Sequence, residues 1–263
     1  MSNITAQNAS LEREGAVLCS GVNCSFSDGE LVAVVGPNGA GKSSLLALLA
    51  GDVEPATGVV ALDGRSMRDF PPVELARHRA VLTQSNAVAF PFSVSEVVSM
   101  GRFAWKSRES AVDDSTVVSA AMEATDIAHL AKRRITTLSG GEIARVALAR
   151  VLAQETKIIL LDEPTASLDI KHQEMVLELL RKKARAGTLV IIVVHDLEAA
   201  ASIADRLLVM VNGHIVADGS PQHVLSSALL SEVYDYPIDV GTNTLTGHLE
   251  VRPKRSPTPK PTP

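Results

Sequence analysis

Residues 36–43 read Gly-Pro-Asn-Gly-Ala-Gly-Lys-Ser, which satisfies the pattern G-x-x-x-x-G-K-[ST]. Gly36, Gly39 and Gly41 let successive backbone N–H groups wrap a phosphate. Lys42 is placed to reach β/γ oxygens, and the Ser43 hydroxyl is of the type that meets Mg²⁺. Pro37, Asn38, Ala40 and Ser44 complete the cradle. Alone, this segment says only that a phosphate binds. Far downstream, Leu138-Ser139-Gly140-Gly141-Glu142 is a short Gly-rich turn opening a helix that carries Ile143, Val146, Leu148 and Val151. Its N-terminus offers free N–H groups and a positive dipole end to a second anion. Between the turn and residue 200 stand further groups capable of chemistry. Asp162 closes the apolar run Ile158-Ile159-Leu160-Leu161, where a bare carboxylate is costly unless it serves a cation or hydrogen-bonded partners. Glu163 beside it can polarise a water that attacks a γ-phosphate, and Pro164 stops the strand.

These segments together resemble the ATPase subunits of ABC transporters over nearly the whole chain. Gln84 follows the apolar strand Ala80-Val81-Leu82, Ser167-Leu168-Asp169 follows the acidic pair, and His195 closes Leu189–Val194, all in the family's order. The resemblance implies that ATP and Mg²⁺ are sandwiched between the P-loop of one subunit and the Ser139-Gly140-Gly141 turn of another, in a homodimer. It assigns His195 to the γ-phosphate and Gln84 to Mg²⁺ or water, although a glutamine after a strand is unremarkable by itself. Ser43, Gln84 and Asp162 become the metal group, Glu163 the catalytic carboxylate, and Asp169 a residue of the dimer seam. Ser139 can equally be a plain helix cap. Phe90-Pro91-Phe92-Ser93-Val94-Ser95-Glu96 and the later Gly101-Arg102 look like the importers of haem, iron-siderophore complexes and vitamin B12, and Leu229–Tyr234 tilts the likeness toward haem. The partners so implied are a membrane permease dimer and, indirectly, a periplasmic or lipoprotein substrate-binding protein.

Composition agrees with a globular ATPase. The chain has 263 residues, 46% hydrophobic and 21% charged, enough for one large α/β domain with a full core. A net charge of −5 gives no electrostatic reason to expect nucleic acid. No apolar run reaches the roughly 20 residues of a membrane-spanning helix, and Met1–Ser10 lacks the basic and apolar regions of a secretory signal. The expected location is therefore the cytoplasmic face of the membrane, attached through another polypeptide. Cys19 and Cys24 are read as reduced structural thiols.

The apolar runs Leu31–Val35, Ile158–Leu161 and Leu189–Val194 read as parallel strands covered on both faces. That puts the P-loop, Asp162, Glu163 and His195 at C-terminal strand ends, where open α/β sheets bind ligands. The fold expected is a P-loop NTPase core with a mostly parallel sheet, a small antiparallel β part near the N-terminus and an inserted helical subdomain at about 86–156. Helices are expected over Val94–Gly101 and Val112–Ala131. The cassette should occupy 1–250, and 251–263, Pro-rich from Arg252 onward, should be a disordered tail. Phe90, Phe92 and Trp105 form the one aromatic-rich stretch, so Asn86–Arg102 is read as the wall that receives a permease helix, with core filling as the alternative. Repair ATPases with long coiled coils and translation factors with two cassettes fit poorly, since neither heptads nor a second P-loop occurs. A regulatory subunit without turnover is opposed by the intact Glu163 and His195.

Two departures from the family pattern matter. No aromatic residue precedes Phe26, and Leu11 or Glu12 stands where adenine would stack. The signature ends in Glu142 where Gln is usual, and a carboxylate facing a triphosphate repels it, so Glu142 should turn away or toward a basic group. Without an aromatic platform, ATP and GTP should bind within a hundredfold of each other. Parallel titrations check this; a larger preference, beyond about 2.7 kcal/mol, would reveal an adenine contact the sequence does not show.

Overall fold

The structure, a computed structural model, describes residues 3–84, 91–106 and 113–255. Its centre is a six-stranded sheet in the order His214–Gly219, Arg206–Val211, Leu31–Val35, Leu189–Val193, Ile158–Asp162, Arg79–Leu82. All neighbours run parallel except the His214–Gly219 edge, which pairs antiparallel with Arg206–Val211. Every residue of the three central strands is buried. Because side chains alternate along a strand, each of these runs feeds two cores. Leu31, Ala33 and Val35 join Ile159, Leu161, Val190 and Ile192 on one face. Val32 and Val34 join Ile158, Leu160, Leu189, Ile191 and Val193 on the other.

The second face is covered by the helix Lys42–Ala50 and an antiparallel sheet in the order Ala16–Ser27, Asn3–Arg13, Thr57–Leu62, Arg65–Ser66. Leu45, Leu46, Leu48 and Leu49 are all buried, so this helix is apolar around most of its girth, as a helix enclosed between two sheets must be. The first face carries the helices Val94–Ser99, Asp114–Ala124, Gly140–Ala153 and Ile170–Arg185. Ile170–Arg185 buries Val176, Leu177, Leu180 and Ala184 on one stripe and ends in Lys182, Lys183 and Arg185, favourably placed at the negative end of its dipole.

The helical insertion is more broken than its periodicity predicts. The expected Val94–Gly101 helix stops at Ser99, and a 3₁₀ segment Met100–Trp105 follows. The expected Val112–Ala131 helix spans Asp114–Ala124, capped by Asp113, whose side chain accepts from the Ser115 N–H. It ends where the Thr125 hydroxyl bonds back to the Ala121 carbonyl at 3.0 Å and Asp126 turns left-handed at φ 54°. A short 3₁₀ turn, Ala128–Leu130, completes the stretch; Val112 lies outside the described residues.

Two other expectations are corrected. The segment assigned to the tail begins inside a strand: Leu249–Pro253 pairs with Ile238–Thr242. Proline is tolerated there because Pro253 ends the strand, and Lys254 continues the tie through its N–H to the Pro237 carbonyl at 2.8 Å. Residues 256–263 lie outside the described part. Trp105 and Arg102 do not form an open wall. Arg102 is 3% exposed and pairs with Asp114 at 2.7 Å and Glu155 at 3.0 Å, while the Trp105 indole donates to the Gln154 carbonyl at 2.8 Å. Phe90 is outside the described residues, and Phe92 remains exposed at 37%.

Both cysteines are free, and burial pushes Cys19 up to about 11 and Cys24 up to about 12, so both stay protonated and unreactive. Leu160, fully buried between the sheet and Lys42–Ala50, is a direct probe of this packing. Leu160→Ala should destabilise the chain by about 2–5 kcal/mol, read from urea unfolding. A loss well under that range would mean that the site collapses around the smaller side chain.

Candidate functional site

The P-loop leaves the sheet after Val35 and enters its helix at Lys42. Two glycines make this path possible. Gly36 sits at φ 146°, where a Cβ would lie 2.1 Å from the Met210 carbonyl oxygen, and Gly41 at φ 97°, where a Cβ would lie 2.3 Å from that of Leu18. The loop is thus wedged between the neighbouring strand and the antiparallel sheet. Lys42 is 6% exposed, and its Nζ donates to the Gly36 and Pro37 carbonyls, both at 2.9 Å. Burial lowers its pKa, against the raising pull of Glu163 and Asp162. The ammonium therefore rests on the loop's own carbonyls beside two carboxylates.

Asp162, 6% exposed, has its pKa raised by burial, while the Ser43 hydroxyl bond draws it back and Glu163 raises it further. Its Oδ1 is buried without a hydrogen-bond partner among the described residues. An orphaned carboxylate oxygen next to a serine hydroxyl is an oxygen donor set that suits a hard divalent cation. Gln84 lines the same cleft as Asp162, Glu163, Pro164 and Ala144.

Glu163 begins the turn after its strand in left-handed backbone, φ 52°, a conformation costly for a residue with a Cβ. The turn is held by its N–H, which donates to the Val193 carbonyl at 3.1 Å. Its Oε1 lies 2.5 Å from Nε2 of His195, which follows the adjacent strand. Asp196 next to it caps the helix Leu197–Ile203 by accepting from the N–H groups of Glu198 and Ala199, and so fixes where the histidine stands. The carboxylate and imidazole thus form a pair across two strands, at the same sheet edge as Lys42.

The signature turn lies elsewhere. Ser139 caps the helix Gly140–Ala153. Its cleft is lined by Gly141, Glu142, Arg145, Ser167, Leu168, Asp169 and His172, with no P-loop residue among them. Asp169 caps the helix Ile170–Arg185, accepting from the His172 N–H at 2.9 Å and meeting its Nδ1 at 2.7 Å; the bonds from His172 lower the Asp169 pKa. His172 Nε2 also lies 3.6 Å from Asp126 of the helical insertion. Glu142 is turned onto Ser139 itself, with Arg133 at 3.9 Å. Of the expected adenine contacts, Leu11 packs against the core and Glu12 is exposed, paired with Val17 across the N-terminal hairpin.

Sequence reasoning passed over three residues. His172 had a signal in its i+3 spacing from an N-capping Asp, and Arg145 in being a cation amid Ile143, Val146 and Ala147. Tyr234, whose pKa burial raises, lies near the Gly36 backbone, some 200 positions away, and no local pattern announces such proximity.

Residues 19–166 match the family model described as ABC transporter. The chain is 52% identical over 235 residues to the Hemin import ATP-binding protein HmuV of Nocardia farcinica (strain IFM 10152), covering 89% of this chain and 82% of the relative. It is likewise 52% identical over 243 residues to that of Streptomyces coelicolor (strain ATCC BAA-471 / A3(2) / M145), covering 92% and 87%. Among solved structures, an inward-facing ABC transporter aligns with a TM-score of 0.81 at 27% identity, covering 97% of this chain and 98% of that one. The dimeric post-hydrolysis state of the ATP-binding cassette MJ0796 bound to ADP and Pi aligns with a TM-score of 0.75 at 26% identity, covering 83% and 98%.

The positions of Lys42 and Glu163 predict different failures. Lys42→Ala should weaken ATP binding itself, measured by nucleotide titration. Glu163→Gln should keep ATP affinity and slow hydrolysis by about 10²–10⁴-fold. Unchanged turnover in the latter would remove Glu163 from its role, and equal ATP affinity in the former would remove Lys42.

Proposed function

This chain belongs to the ABC transporter family as an ATP-binding, ATP-hydrolysing subunit, and from that premise we propose that two copies close on two ATP molecules to energise haem import through a separate membrane permease. One observation carries the dimeric part of the reading. The chain has two helix starts opened by Gly-rich turns that suit an anion, and the cleft of the second contains no residue of the first. Two copies arranged head to tail would bring each signature to the other's P-loop, which is how both helix N-termini could serve one triphosphate.

In that complex Gly36–Ser44 wrap the phosphates, and Lys42 exchanges its two carbonyl partners for phosphate oxygens. Mg²⁺, held by Ser43, Gln84 and Asp162, would supply neutralisation of phosphate charge when bound. Glu163 orients the attacking water and takes up its proton, and His195, hydrogen-bonded to that carboxylate, keeps it aimed and reaches the γ-phosphate. Ser139, Gly140 and Gly141 close the site from the opposite subunit, with Asp169 at the seam. The reaction is phosphoryl transfer to water, in which positioning and charge stabilisation supply most of the acceleration.

Among the described residues no helix is long and apolar enough to cross a membrane, and we assign the permease to a separate polypeptide. We assign the chain to the cytoplasmic face of the membrane and place the substrate-binding protein on the far side. Permease contact is assigned to the aromatic residues Phe92 and Phe103, 37% and 59% exposed. The cargo reading rests on the names of the relatives, and the transporter reconstituted with its permease and binding protein tests it. Haem should stimulate ATP hydrolysis, and Phe92→Ala or Phe103→Ala should reduce that stimulation while leaving the melting temperature unchanged. Stimulation by a siderophore or vitamin B12 complex in place of haem would keep the importer and reject the cargo.

A further inference from the structure

Glu142 fills its own signature. Its Oε2 accepts from the Ser139 N–H at 2.7 Å and from the Ser139 hydroxyl at 2.8 Å, while the Glu142 N–H returns a bond to Ser139 Oγ at 3.4 Å. This is a complete capping box at the start of a 14-residue helix. The Ser139 hydroxyl has a single hydrogen, and the carboxylate holds it here. A phosphate oxygen that takes that hydrogen must displace the carboxylate from the hydroxyl.

A second observation shows where the carboxylate can go. Arg145, one turn further along the same helix, is only 8% exposed, and its Nε is buried without a hydrogen-bond partner among the described residues. A buried guanidinium N–H is costly until it is hydrogen-bonded, and the Asp169 carboxylate feels the Arg145 charge without supplying that bond. It lines the cleft that contains Ser139, Gly141 and Glu142, and its positive charge already acts on Glu142. Residues three apart on a helix are neighbours within side-chain reach. Arg133, the other nearby cation, lies 3.9 Å from Glu142 and in this arrangement acts on the carboxylate more strongly than Arg145 does, but it is half exposed and offers no buried, unpaired donor.

We propose that Glu142 has two positions, on Ser139 in the open subunit and on Arg145 in the ATP-closed dimer, and that Arg145 is the positioning residue that clears the signature for the γ-phosphate. This rests on the reading that the signature engages nucleotide across a dimer. In the exchange the Ser139 hydroxyl passes from carboxylate to phosphate, the carboxylate passes from serine to guanidinium, and the buried Nε of Arg145 gains a hydrogen-bond partner. The full-chain Glu163→Gln protein, in which ATP turnover is slowed, allows the test by measuring the ATP concentration for half-maximal dimerisation. Arg145→Met should raise it about three- to tenfold, the worth of one hydrogen-bonded partner. Adding Glu142→Gln should lower it much more in the Arg145→Met background than with Arg145 present, because only the first has a carboxylate with nowhere to go. Equal effects in the two backgrounds, or no effect of Arg145→Met, would overturn the proposal. Ser139→Ala checks the underlying reading separately: if it leaves dimerisation unchanged, the signature does not grip nucleotide at all. Should Arg145→Met fail to fold, the crystal structure of the ATP-bound Glu163→Gln dimer decides. Glu142 within hydrogen-bond distance of Arg145 supports the exchange, and Glu142 still seated on Ser139 refutes it.

Discussion

Lys42 is an ammonium group enclosed by protein, held by two carbonyls of its own loop, and the fold around it is shaped by the need to keep it both dry and available. Burial weakens its hold on the proton, and the nearby carboxylates Glu163 and Asp162 pull the other way at the mouth of an apolar sheet. Glu163 and Asp162 provide that restoring field, and Asp162 is itself desolvated. Three charges of this kind can coexist only where strands end, because along their length every side chain of the three central strands is buried among hydrocarbon. The C-terminal edge of the parallel sheet is where chain leaves the core and polar groups can meet a ligand.

The same constraint explains the close approach of elements around the loop. With Met210 and Leu18 carbonyls pressed against Gly36 and Gly41, the P-loop has little freedom to relax around Lys42. Tyr234, at the end of the helix Ser227–Val233, lies near the Gly36 backbone as well. The C-terminal hairpin meets the helix after His195 too, where the Val251 N–H donates to Glu198 at 2.8 Å. One segment therefore lies beside both the phosphate loop and the helix that fixes the histidine, which makes it part of the scaffold of the site.

On the opposite face the charges are arranged differently. His172 ties the Asp169 turn to Asp126 of the helical insertion, and Glu142 with Ser139 closes the signature turn on itself. These are exposed, short-range hydrogen bonds that can be exchanged at small cost, in contrast with the enclosed set around Lys42. A site that must assemble and come apart with each turnover is better served by contacts of that kind at its moving half.

The amino-acid sequence determined the parts that rest on local chemistry. The P-loop follows from glycines beside a lysine and a serine, the buried strands from unbroken apolar runs, and the acidic strand end from Asp162 and Glu163 at the close of one of them. Local patterns did not reveal where the helical insertion breaks, since Asp126 turns left-handed within an otherwise helical periodicity. Nor did they show that Pro253 ends a paired strand, because its partner Ile238 is remote in sequence and pairing is decided by register. The packing of Trp105 and Arg102 was likewise invisible, as it depends on Asp114, Glu155 and Gln154 arriving from other elements. Only the tertiary structure set His195 against Glu163, left Arg145 buried without a partner for its Nε among the described residues, and turned Glu142 onto Ser139. Residue type fixes what a group can do, but which partner it meets, and whether water is excluded there, is settled only when separate elements pack.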